Sequence, residues 1–144
     1  NMDKFIKGGA LNEQAENETA IELCQKIQLK ASDISAPPSS LSGGNQQKVV
    51  FAKLLNRDLK VLILDEPTKG IDVGAKYSIY EIMNELATNG YAIIMVSSEM
   101  PEVLGMADRV VVMRNGRVSG IMENKDLTQE MILEHSLKSA EGGE

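Results

Sequence analysis

A chain of 144 residues is long enough to bury one ordinary core, and its net charge of −6 argues against a nucleic-acid-binding surface, which is normally basic. A single cysteine, Cys24, rules out a disulfide framework or a cysteine-built zinc site and fits a reducing compartment, while a single histidine near the C-terminus, His135, argues against triads that need a central His. No apolar run reaches transmembrane length and no signal peptide is visible, so membrane association is expected to run through a partner.

In chain order, residues 1–12 are mixed, contain Gly8-Gly9 and read as a loop. From Asn12 to about Leu29 the chain reads as a helix, with Ala20, Ile21, Cys24 and Ile27 at the spacing of a packing face. Residues 32–40, with Pro37-Pro38, form a connector. Ser42 is a natural N-cap for a second helix whose body is Val49, Val50, Ala52, Lys53, Leu54 and Leu55. Residues 61–64 are apolar in a row, which predicts a strand buried on both faces, as in parallel sheets; Pro67 stops it. Residues 73–89 predict a helix with Ile79, Ile82, Met83 and Leu86 as its apolar stripe, closed by Asn89-Gly90.

Residues 91–96 predict another buried strand. After Ser97-Ser98-Glu99, Pro101 suits the first turn of a short helix with Ser98 near its cap. Residues 109–113 predict a third strand, and Asn115-Gly116 is a hairpin signal that turns residues 117–122 back antiparallel. Thr128 or Asp126 caps a last helix through about Ser136, and the polar, Gly-rich tail from Ser139 is expected to fray. The three strands are expected in one sheet, the first two as parallel neighbours. The fold class is α/β, a largely parallel sheet with flanking helices and a C-terminal hairpin.

Two stretches carry chemistry. Asp65 and Glu66 follow a predicted core strand, and in open α/β sheets ligands bind outside the carboxyl ends of strands. Such a pair suits Mg²⁺-nucleotide chemistry: one carboxylate holds the ion, usually through water, and the other orients or deprotonates an attacking water. Taken alone, a core strand ending in a solvated acidic turn accounts for it equally well. Upstream, Gly43 and Gly44 have no Cβ, so the backbone can approach a ligand closely. The N–H groups and dipole of the helix that follows make an anion site, although a capped helix after a Gly turn reads the same way.

Together the stretches resemble the ATP-binding cassette ATPases. LSGGNQQ at 41–47 looks like that family's signature motif, VLILDEPT at 61–68 like its Walker B strand with the following acidic residue, and residues 68–72 lie where the family has its D-loop. The wording LSGGNQQKV, DEPTKGIDVGAK and VSSEMPEVLGMADRV is similar to the second, C-terminal cassette of bacterial monosaccharide importers of the ribose, galactose and xylose type. The resemblance implies a P-loop NTPase-like fold and ATP with Mg²⁺ as cofactors. It implies that Asp65 holds the metal through water and that Glu66 is the catalytic carboxylate. Ser42, Gly43, Gly44 and Gln46 would contact nucleotide bound by a partner cassette, and Asp72 would act from the D-loop. The partners implied are that cassette, membrane permease subunits and, indirectly, a sugar-binding protein, at the cytoplasmic face of the cell membrane.

Two departures qualify the resemblance. No G-x-x-x-x-G-K-[ST] occurs, so the Walker A half is missing and the chain by itself is expected to be inactive. Where the family has a γ-phosphate-contacting histidine, this chain has Ser98, a neutral hydroxyl without a protonatable imidazole, which points to a degenerate site around Glu66. The expected organisation is a remnant of the helical subdomain and a connector over 1–40, the signature, Walker B, D-loop and switch core over 41–136, and a flexible tail over 137–144. The competing readings are a non-transport switch protein of the same family on ribosomes or DNA, which would favour basic surface or long coiled coils, and a catalytically silent interaction module.

Overall fold

The computed structural model describes residues 6–7, 10–29, 36–57 and 59–137. The chain divides into two units, residues 1–94 and 95–144.

The first unit opens with a short hairpin. Strand β1 (Ile6–Lys7) pairs antiparallel with β2 (Ala10–Leu11), Ile6 opposite Leu11 and Lys7 opposite Ala10. The sequence reading had only a loop here, although Gly-Gly between two short runs is a hairpin signal. Helix α1 (Glu13–Lys26) starts at Asn12, whose Oδ1 accepts the Ala15 N–H at 3.2 Å, and carries Glu13 and Glu16 in its first turn and Lys26 in its last, all favourable to the dipole. Its packing face is narrower than predicted: Ile27 is buried, Ala20 and Cys24 are half-buried and Ile21 is exposed. Gln28 takes a left-handed φ of 51°, and the Leu29 N–H closes onto the Cys24 carbonyl.

A 3₁₀ turn at Pro38–Ser40 leads into α2 (Gly43–Leu55), which packs on both α1 and α3 (Val73–Thr88). Gly44, Lys48 and Phe51 form its buried face at helical spacing. Strand β3 (Val61–Asp65) precedes α3, and β4 (Ala92–Val96) follows it. β3 and β4 are parallel neighbours in a two-stranded sheet, joined by the helical crossover such pairing requires. The predicted stripe of α3, Ile79, Ile82, Met83 and Leu86, is entirely buried, and Gly90 ends the helix at φ 87°.

The strands themselves depart from expectation. Leu62 and Leu64 are 2% and 6% exposed, but Val61 and Ile63 are 52% and 70% exposed; in β4, Ile94 and Val96 are exposed too. Neither strand is buried on both faces. A strand's side chains alternate, so one face can be covered while the other is open, and an apolar run does not distinguish the two.

In the second unit, α4 (Met100–Met106) precedes a hairpin of β5 (Arg109–Arg114) and β6 (Arg117–Glu123), then α5 (Gln129–Leu137). Asn115 and Gly116, both at positive φ, make the tight turn that the sequence predicts. The pairing slips after Val112–Gly120, leaving Ser119 as a bulge whose hydroxyl donates to the Val112 carbonyl at 3.2 Å. Val110, Val112 and Ile132 form the core, with Met100, Val103, Leu104, Ala107, Met122 and Leu127 against them. Asn124 donates its side-chain amide to the carbonyls of Leu104 and Ala107, finishing α4. Thr128, and not Asp126, caps α5, its hydroxyl accepting the Met131 N–H at 3.4 Å.

β5 pairs with β6 alone among the described residues, so the three predicted strands do not form one sheet; a two-residue turn gives β5 its partner at once. Residues 32–35 of the predicted connector and the tail from residue 138 lie outside the described residues. Among the described residues no helix is long and apolar enough to cross a membrane.

Candidate functional site

Asp65 ends β3 and is exposed. Glu66, half-buried, adopts φ 48°, a left-handed conformation that costs a residue with a Cβ about 1 kcal/mol or more. The turn around it enforces that conformation. Pro67 and Thr68 are buried, the Lys69 N–H donates to the Glu66 carbonyl at 3.1 Å and the Ile71 N–H to the Thr68 carbonyl at 3.2 Å. Gly70 completes the turn at φ 74°, open to space and free of a Cβ penalty. Asp72 then caps α3, its Oδ1 accepting the Ala75 N–H at 3.0 Å and its carbonyl the Lys76 N–H at 3.0 Å.

At the start of α2, Ser42 occupies the N-cap position with extended backbone, and its carbonyl accepts the Gln46 N–H at 2.8 Å. Its hydroxyl makes no capping hydrogen bond and its side chain is exposed. Gln46 returns its side-chain amide to the Leu41 carbonyl at 2.9 Å, tying the first turn to the chain before it. The two glycines differ. Gly43 is exposed, whereas Gly44 is buried, and a Cβ on it would stand 2.5 Å from the Ala75 Cβ. The sequence reading gave both glycines one reason, approach to a ligand; for Gly44 the packing of α2 on α3 is sufficient reason.

The arrangement gives a helix start whose first-turn N–H groups have no intrahelical acceptor, together with a serine hydroxyl not spent on the cap. Such a start binds oxyanions. Asp65 offers an accessible carboxylate at the end of the strand. Among the described residues no group of three or more His, Cys, Asp or Glu gathers as a protein-only metal cage. That donor set fits Mg²⁺, which is commonly held by one or two carboxylates plus substrate phosphates.

In the second unit, the loop after β4 is fastened by Ser97. Its hydroxyl donates to the carboxylate of Glu102 and accepts the Glu99 N–H at 3.0 Å. Glu102 is only 5% exposed. Ser98, beside this knot, is exposed.

The family model described as ABC transporter matches residues 2–69. The ribose import ATP-binding protein RbsA of Geobacillus kaustophilus is 49% identical over 142 residues, covering 99% of this chain and 28% of that protein. Over residues 2–69 the chain carries the ABC transporter domain. The xylose import ATP-binding protein XylG of the same organism is 50% identical, covering 92% of this chain and 26% of that protein. A putative ribose/galactose/methyl galactoside import ATP-binding protein of Rhizobium meliloti is 48% identical over a similar share. The chain therefore spans about a quarter of the length of the curated relatives it matches. Among solved structures, the cassette MJ0796 in its dimeric form superposes with a TM-score of 0.68 at 21% identity, over 84% of this chain and 52% of that one. The cassette MJ1267 gives 0.70 at 24%, over 88% and 48%. The fold is that of about half of an ABC cassette.

The structure brings Gly43 and Gly44, at the start of α2, against the segment from Gly70 to Ala75 that contains Asp72. Asp65 and Glu66 lie before the turn at 67–70 that leads into that segment. Three residues were missed in the sequence. Lys48, 9% exposed, donates from Nζ to the Gln28 carbonyl at 3.1 Å, so a cation of α2 holds the C-terminal end of α1. Its place four residues after Gly44 was the available signal. Ala75 and Glu102 carry no such signal, because their roles come from contacts between elements.

Proposed function

We propose that this chain is the signature-bearing part of the ATPase subunit of a bacterial carbohydrate importer. The observation that carries the proposal is the near-50% identity, over almost the whole chain, to subunits named for ribose and xylose import. In this reading Ser42, Gly43, Gly44 and Gln46 present the start of α2 to nucleotide bound mainly by a partner cassette. Asp72 acts from the adjoining D-loop. Asp65 holds Mg²⁺ through water, Glu66 stands where a water-activating carboxylate would, and Ser98 takes the place of a histidine. The bound ATP–Mg²⁺ supplies the phosphoryl group and its charge neutralisation; the chain's own part is positioning. Membrane permease subunits would turn cassette closure into transport at the cytoplasmic face, with a sugar-binding protein acting through them. The charge of −6 speaks against a ribosomal or DNA-bound role.

The test uses the full-length protein reconstituted with its permease and sugar-binding protein. ATP-dependent pentose or hexose uptake is the expected result; co-purification with ribosomes and no uptake would replace the reading with the switch-protein one. The 144-residue chain alone, which has no G-x-x-x-x-G-K-[ST], is expected to show no ATP turnover above its Glu66→Gln variant.

A further inference from the structure

The signature start and the D-loop touch inside a single cassette. A Cβ on Gly44 would lie 2.5 Å from the Ala75 Cβ and 3.8 Å from both the Ala75 Cα and the Ile71 Cγ2, and a Cβ on Gly43 would lie 4.0 Å from the Gly70 carbonyl oxygen. Ala75 has no rotamer by which to move aside. Its backbone is held by the Asp72 cap, and the turn before Asp72 is closed by the Ile71 N–H on the Thr68 carbonyl. Non-bonded carbons rest at about 3.5–4.0 Å, so any side chain at 44 would drive α2 and α3 apart by about 1 Å.

We infer that Gly44 and Ala75 are positioning residues: their contact sets the spacing between the signature helix and the D-loop, so that Ser42 and Asp72 meet the partner cassette as one body. The inference rests on the function proposed above and assigns no nucleotide contact to either side chain. It differs from the view that Gly44 is a glycine so that an anion can approach. On that view nothing done at Ala75 repairs a change at 44.

The experiment measures steady-state ATPase, ATP KM and Tm of the full-length transporter carrying Gly44→Ala, Ala75→Val, Gly44→Ala with Ala75→Gly, and Ser42→Arg. A misplacement of this size is expected to lower kcat by about a hundredfold in Gly44→Ala, with KM near the parent value and Tm lowered by the overpacking. Ala75→Val closes the same gap from the other side and is expected to show the same split. Gly44→Ala with Ala75→Gly is expected to regain most of the lost turnover. A double variant that folds without regaining turnover overturns the inference, as does parental kcat in either Gly44→Ala or Ala75→Val. If Gly44→Ala does not fold, the double variant decides alone, since restored folding without restored turnover is the overturning result. An active Ser42→Arg would instead reject the use of the signature motif itself, so the two failures are distinguishable.

Discussion

Helices α2 and α3 start in almost the same backbone geometry and finish the start differently. Ser42 precedes α2 at φ −61°, ψ 156° and Asp72 precedes α3 at φ −65°, ψ 156°. Serine and aspartate are both among the best N-cap residues. Asp72 accepts the Ala75 N–H at 3.0 Å; Ser42 makes no such bond. The difference lies in what surrounds the two starts. Asp72 follows a tight turn pinned by buried Pro67 and Thr68, and its carboxylate is consumed in capping α3. The α2 start is ordered from outside the cap instead, by Gln46 on Leu41, Lys48 on Gln28 and Gly44 on Ala75. A helix anchored in these ways can leave its N-cap hydroxyl and dipole for an external anion.

The largest test of this contrast is the ATPase activity of Ser42→Arg in the full-length protein. A long side chain would fill the anion approach at α2, and losing preorganised donors of this kind costs about a hundredfold or more in turnover. Near-parental ATPase would mean the exposed start of α2 serves no nucleotide. Next is Glu66→Gln. On the proposed function, in which Ser98 takes the place of a histidine, its expected effect is modest, whereas the matching glutamate of the first cassette should cost about a hundredfold when changed, as loss of a working general base does. A collapse of turnover with Glu66→Gln alone would make this half catalytic, with Ser98 or a water in place of the imidazole. Smaller still is the stability comparison between the two caps. Asp72→Ala is expected to cost about 1 kcal/mol by losing its cap bond, and Ser42→Ala much less, because Ser42 has no such bond to lose. Equal losses in denaturant titrations would erase the contrast.

What the sequence made legible follows from how local each feature is. The stripe of α3, the Asn115-Gly116 turn and the acidic end of β3 depend on neighbours a few residues away, and all three lie where the letters predicted. The exposure of Val61 and Ile63 was not legible, because an apolar run says what a face tolerates and not whether anything covers it. Nor was the reason for Gly44, which is an alanine on another helix 31 positions further on. The left-handed Glu66 was also hidden. Glycine or asparagine would announce such a φ, and glutamate does not.

α5 supplies an intermediate case between the two starts. Thr128 caps it, but the Met131 N–H reaches the hydroxyl only at 3.4 Å, longer than the Asp72 cap. Glu130 in the first turn adds a second interaction. Its own backbone N–H, and then the Thr128 hydroxyl, hold its carboxyl below the usual glutamate range. The sign follows from linkage: a carboxylate whose folded pKa is depressed contributes stability above its unfolded pKa and loses it as pH falls through the folded value. Carboxyl NMR of the chain should therefore show Glu130 titrating below the usual glutamate range, and hydrogen-exchange protection of α5 should fall over the same acidic interval. Thr128→Ala is expected to move the Glu130 midpoint part of the way back, since the first cause, its own N–H, remains. A midpoint that does not move would leave the α5 start to its backbone and dipole alone, with Thr128 contributing no more to it than Ser42 does to the cap of α2.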